Sequence, residues 1–171
     1  MERSNLVTMK GNPVTLVGVA LKVGDKAPDF TVLDNGLAPI KLSDSANKAR
    51  LLSVVPSLDT SVCNKQTVTF NKRLPEVVGN VKPYAISVDL PFAQGRFAQE
   101  HKIDRLQIVS DHRDVSFGNN YGLLIKELRL LARAVLVVDK NDRISYCQIV
   151  PEIGTEPDYD AAIEALKKAA R

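Results

Sequence analysis

Apolar residues fall in short runs separated by turn-forming clusters, the pattern of strands alternating with helices. Leu6–Lys10 and Val14–Gly18 flank Gly11-Asn12-Pro13 and read as an N-terminal β-hairpin, about residues 6–18, laid across one end of the domain. Thr31–Leu33 reads as a strand, Leu37–Leu42 as another, and Ser43–Lys48 as a polar loop. Leu51-Leu52-Ser53-Val54-Val55 carries no charge and reads as a buried central strand, which Pro56 stops. Asp59, Thr60 and Ser61 are all suited to cap a helix continuing through Phe70. Pro83–Val88 predicts a second core strand, and Asp89-Leu90-Pro91 the start of a helix reaching about His101. Leu106–Ser110 is a further strand, and Asp111–Tyr121 a polar stretch with one helical turn. Leu130–Asp139 is the longest β-like run, and Lys140-Asn141-Asp142 turns it into Arg143–Val150. A last helix begins at Pro157-Asp158-Tyr159, with Ala161, Ile163, Ala165 and Leu166 along one stripe.

The order β-α-β-α-β-β-α predicts an α/β fold of thioredoxin-like arrangement. Its central mixed sheet is flanked by helices, with the hairpin added in front. At 171 residues the chain is expected to form one domain, residues 1–171. A net charge of +3 and 5% aromatic residues give no basic stripe with stacking rings, so nucleic acid is not an expected partner. No apolar run approaches membrane-spanning length, and Met1-Glu2-Arg3-Ser4-Asn5 lacks a signal core, so a cytoplasmic location is expected. Cys63 and Cys147 cannot build a disulfide framework, and no Cys/His cluster has zinc spacing. Neither a metal nor a cofactor is expected.

The chemistry concentrates at Val55-Pro56-Ser57-Leu58-Asp59-Thr60-Ser61-Val62-Cys63. A strand ending at Pro56 and a helix starting near Thr60 put Cys63 in the helix's first turn. Unpaired backbone N–H groups and the positive end of the helix dipole there favour a thiolate. A free cysteine more often packs as an inert small hydrophobe, and Cys147, inside the strand Ile144–Gln148, is read that way. The polar flanks and the spacing Pro-x-x-x-Thr-x-x-Cys set Cys63 apart as the nucleophile. Thr60 is positioned to offer its hydroxyl to the sulfur or to the sulfur's attacking partner. Arg133 interrupts the apolar run Leu130–Val138, and a charge there needs an anionic or thiolate partner; Cys63 is the candidate. A disulfide reductase would need a second cysteine beside Cys63, and a cysteine hydrolase a histidine aimed at it. Only His101 and His112 exist, both in polar stretches.

Pro56, Thr60 and Cys63, with Gly24-Asp25-Lys26-Ala27-Pro28-Asp29-Phe30, are similar to the two local signatures of the peroxiredoxins. With Lys10–Leu16, Asp89–Gln94, Ala132–Val135 and Val150–Ile153 added, the chain resembles the thiol peroxidase subfamily from Leu6 to its C-terminus. The resemblance implies a peroxidatic Cys63, a hydroxyl partner in Thr60 and a completing guanidinium in Arg133. It also implies a peroxide substrate, thioredoxin or a small thiol as reductant, and a homodimer. One position departs: where typical members carry a resolving cysteine, this chain has Ala98. Two readings follow, a peroxidase whose sulfenic acid an external thiol or a neighbouring subunit must capture, and a peroxide-sensing or binding protein with little turnover.

Overall fold

The structure, a computed structural model, describes residues 1–171. Its centre is a seven-stranded mixed sheet in the order β11-β10-β5-β6-β7-β3-β4. Three parallel strands, β5 (Ala49–Val54), β6 (Val81–Ser87) and β7 (Gln107–Ser110), are joined by α1 (Ser61–Arg73) and α2 (Pro91–Glu100). Antiparallel β10 (Ala134–Val138) and β11 (Ile144–Ile149) extend one side, β3 (Thr31–Leu33) and β4 (Pro39–Lys41) the other. This is the expected thioredoxin-like arrangement.

The two-residue side-chain period divides the central strands between two cores. Leu52 and Val54 of β5 and Leu136 and Val138 of β10 face one way, against Phe30, Phe117, Tyr121 and Leu131. Leu51 and Val55, with Val135 and Val137, face the other, against Phe70 of α1, Phe97 of α2 and Ile163 and Leu166 of α4 (Tyr159–Ala170). The Asp158 carboxylate caps α4 by accepting the Ala161 N–H at 3.0 Å.

A second sheet, ordered β1-β2-β8-β9, covers part of the first core. Its hairpin is longer than expected, β1 Glu2–Met9 and β2 Asn12–Val17, and its turn lies one residue earlier. Met9 pairs with Asn12, leaving Lys10 and Gly11, both at positive φ (51° and 79°), as a two-residue turn that matches strand twist. Asn12 and Pro13 therefore belong to β2. The Leu130–Asp139 run, expected as one strand, is two: β9 (Leu130–Leu131) pairs with β8 (Leu124–Ile125) in the small sheet, and β10 lies in the large one. The chain changes sheets at Ala132-Arg133. Apolarity could not reveal this, because both pieces are apolar and only Leu130 is partly exposed. Between β7 and β8, α3 (Ser116–Asn120) supplies the one expected helical turn. Leu42, expected to end a strand, and Ser43–Ser45, expected as loop, form a 3₁₀ turn in which the Asp44 carboxylate accepts the Lys41 N–H at 2.8 Å.

Candidate active site

Helix α1 buries Cys63, Gln66, Thr67, Phe70 and Asn71, the i, i+3, i+4, i+7, i+8 face of one helix, and three of these five residues are polar. Thr60 takes the N-cap position, so Cys63 is the third helical residue, at the C-terminal edge of β5. Its side chain is fully buried.

Arg133, 1% exposed, meets it from the junction of the two sheets. Continuing the alternation of Val135 and Val137, its side chain points to the α1 face. There the guanidinium serves three acceptors. Nε donates to the Ile153 carbonyl at 2.7 Å, Nη1 to Gln66 Oε1 at 2.9 Å, and Nη2 to Cys63 Sγ at 3.2 Å. Burying an arginine without such partners would cost several kcal/mol. With them, the fork is fixed in one plane and its charge faces the sulfur. The structure thus brings together Arg133 and Cys63, the two residues singled out in the sequence.

Gln66 did not emerge from the sequence. It is held in turn, donating to Ser53 Oγ at 2.9 Å, and Ser53 points to this face by the alternation of β5. Its position one helical turn after Cys63 was the available signal. Thr60 makes no hydrogen bond to the sulfur. Its exposed hydroxyl donates to the Ser57 carbonyl at 3.0 Å, which leaves the oxygen's lone pairs free to accept from a bound molecule. The loop before α1 is fastened from below by Asp89, whose carboxylate accepts from Ser57 Oγ at 2.7 Å and the Leu58 N–H at 2.8 Å.

Neither histidine bonds the sulfur: His101 packs on Phe97, the ring centroids 4.3 Å apart and the rings tilted, and lies 3.3 Å from Asn64 Nδ2. Cys147, half-buried in β11, has burial pushing its thiol up, toward the neutral form. Ala98 lies on α2 and packs against the same core as Cys63. No three His, Cys, Asp or Glu side chains come together as metal ligands, and no helix is long and apolar enough to cross a membrane.

Known proteins similar to this chain point to one family. Residues 22–163 match the Redoxin family. The chain is 53% identical over 163 residues to the thiol peroxidase of Halalkalibacterium halodurans, covering 95% of this chain and 98% of that one. It is 51% identical over 161 residues to the thiol peroxidase of Bacillus subtilis, covering 94% and 96%. Among solved structures, a peroxiredoxin-like protein from Aquifex aeolicus superposes with a TM-score of 0.90 at 39% identity, over 96% of this chain and 97% of that one. A thiol peroxidase from Chromobacterium violaceum superposes at 0.81 with 21% identity over 95% of each chain, a likeness of fold alone.

Proposed function

The chain belongs to the Redoxin family and is a thiol-dependent peroxidase of the peroxiredoxin type, and from that premise we propose that Cys63 is its nucleophile and that Arg133 and Thr60 complete the peroxide site. The observation that carries this reading is the buried Arg133 guanidinium donating to Cys63 Sγ at 3.2 Å. The peroxide-sensing alternative gains no support from the comparisons.

In the first step the Cys63 thiolate attacks one peroxide oxygen, the O–O bond breaks, and the other oxygen leaves as hydroxide or alkoxide and takes up a proton. Sulfur is oxidised by two electrons to the sulfenic acid. A thiol of ordinary pKa, ~8.5, is only a few per cent ionised near neutrality, so full ionisation gains only about tenfold to thirtyfold. The rest of the acceleration comes from groups aimed at the oxygens: Arg133 stabilises the developing negative charge, and Thr60 accepts the O–H of the attacked oxygen. A thiol then condenses with the sulfenic acid, releasing water and leaving a mixed disulfide, and a second thiol frees Cys63. Thioredoxin or a small thiol is the proposed reductant, on the family resemblance.

Peroxide consumption with dithiothreitol tests the activity, and the fate of the sulfur tests the route. With Ala98 in the resolving position, one equivalent of peroxide should leave a sulfenic acid on Cys63 that a dimedone-type probe traps, and excess should drive it to sulfinic or sulfonic acid. Ala98→Cys should divert the same treatment into a disulfide between positions 63 and 98, read by intact mass as a loss of two hydrogens. That bond needs the two Cα atoms within about 7 Å, so the first turn of α1 must loosen. Continued addition of oxygens to Cys63 in Ala98→Cys would show that this position does not resolve.

Residues 1–171 are proposed to act as one domain, supported by the two cores that share the central sheet. A cytoplasmic location is proposed, supported by two cysteines left unpaired, as a reducing compartment keeps them. The family resemblance supports a homodimer. Sedimentation at micromolar concentration should therefore give twice the 18.7 kDa chain mass, and a monomer would refute it.

A further inference from the structure

Two of the sequence signatures, Lys10-Gly11-Asn12-Pro13 and Val150-Pro151-Glu152-Ile153, supply nothing to the site above except the Ile153 carbonyl, yet they meet in space. The Glu152 carboxylate gathers four donors. It accepts from Thr8 Oγ1 at 2.6 Å, from the Lys10 and Gly11 N–H groups at 3.0 and 3.1 Å, and from the Gly154 N–H at 3.2 Å. Three of these lie on β1 and its two-residue turn. Backbone bonds zip the same segments together, Thr8 N–H to the Pro151 carbonyl at 2.7 Å and Ile153 N–H to the Thr8 carbonyl at 2.9 Å.

The zipped segment is also the one that holds Arg133. Its Ile153 carbonyl accepts from Arg133 Nε, and its Val150 N–H donates to the Arg133 carbonyl at 2.9 Å. The backbone and the side chain of Arg133 are thus both tied to Val150–Ile153, and that loop is tied to the hairpin through Glu152. We propose that Glu152 is a positioning residue for the Cys63–Arg133 pair: by locking Val150–Gly154 onto the N-terminal hairpin, it fixes the carbonyl that sets the plane of the guanidinium. Glu152 itself touches neither sulfur nor peroxide. Its hydrogen bonds, that from Thr8 foremost, hold the carboxyl well below its ordinary range, down to about 2, so the clamp is charged at any working pH.

The inference rests on the reading of Arg133 given above, and a double-mutant cycle separates the two. Single-turnover peroxide reduction by the reduced full-length chain would be followed for Glu152→Ala, Glu152→Gln, Arg133→Ala and Arg133→Ala/Glu152→Ala. Glu152→Ala should slow the reaction by about tenfold to a hundredfold, the cost of a misplaced catalytic group. Glu152→Gln keeps the shape and a carbonyl acceptor, so it should lose less. The double variant should be no slower than Arg133→Ala alone, because a residue acting only through Arg133 has nothing left to hold. A merely structural clamp would multiply the two losses. That result, or an undiminished rate in Glu152→Ala, overturns the inference while leaving Arg133 in its role. An undiminished rate in Arg133→Ala overturns both. Should Glu152→Ala fail to fold, the same cycle with Glu152→Gln decides.

Discussion

Cys63→Ser should abolish peroxide turnover while Cys147→Ser leaves most of it. Removing the nucleophile removes the covalent route altogether, a loss on the order of a thousandfold or more. Serine keeps the hydrogen-bonding capacity of the site and lacks only the sulfur, so the loss reads the chemistry and not the packing. Cys147 has the opposite surroundings. It lies in β11 with no cationic partner, and burial favours its neutral thiol. Its replacement should cost about 1 kcal/mol of stability from a half-buried hydroxyl, seen as a small drop in Tm, with the peroxide rate near its original value. If Cys147→Ser were the inactive variant, the roles of the two cysteines would have to be exchanged.

Arg133→Ala should give the second-largest loss, about a hundredfold to a thousandfold in the bimolecular rate with peroxide, the usual scale for removing one preorganised donor to developing charge. It should also destabilise the fold. Gln66 Oε1 and the Ile153 carbonyl each lose a buried donor, at about 1–3 kcal/mol apiece. Arg133→Lys keeps the charge but cannot serve three acceptors in one plane, so it should fall between. Stopped-flow kinetics beside thermal melting separates the two effects. A rate unchanged in well-folded Arg133→Ala would remove the guanidinium from the mechanism.

The central strands, the helix carrying Cys63 and the closing hairpin were legible because alternation, proline stops and capping residues are local signals. Cys63 and Arg133 were legible because each sits where its residue type is out of place, a cysteine among polar flanks and a charge within an apolar run. Gln66 was hidden by its own role: three of the five residues on the buried face of α1 are polar, and a search for an apolar stripe passes over such a face. The Ile153 carbonyl was beyond reach, since any residue presents a carbonyl and only tertiary packing decides which one meets a guanidinium. Glu2–Asn5 was missed as strand because its side chains are mostly exposed and show no alternation. The break at Ala132-Arg133 escaped because the small sheet and the large one bury the same kind of side chain.

The distance along the chain between Cys63 and Arg133 bears on when the proposed site is assembled during synthesis. Cys63 and its guanidinium partner are 70 residues apart, and the carbonyl that orients the guanidinium is a further 20 residues on. Contacts of that separation form only after long loops close, late in folding. A ribosome-bound chain that has emerged through α1 and α2 therefore carries its sulfur without the Arg133–Ile153 arrangement. On the proposed reading Cys63 spends that time without its guanidinium partner, and the site is completed only by the arrival of the last quarter of the chain.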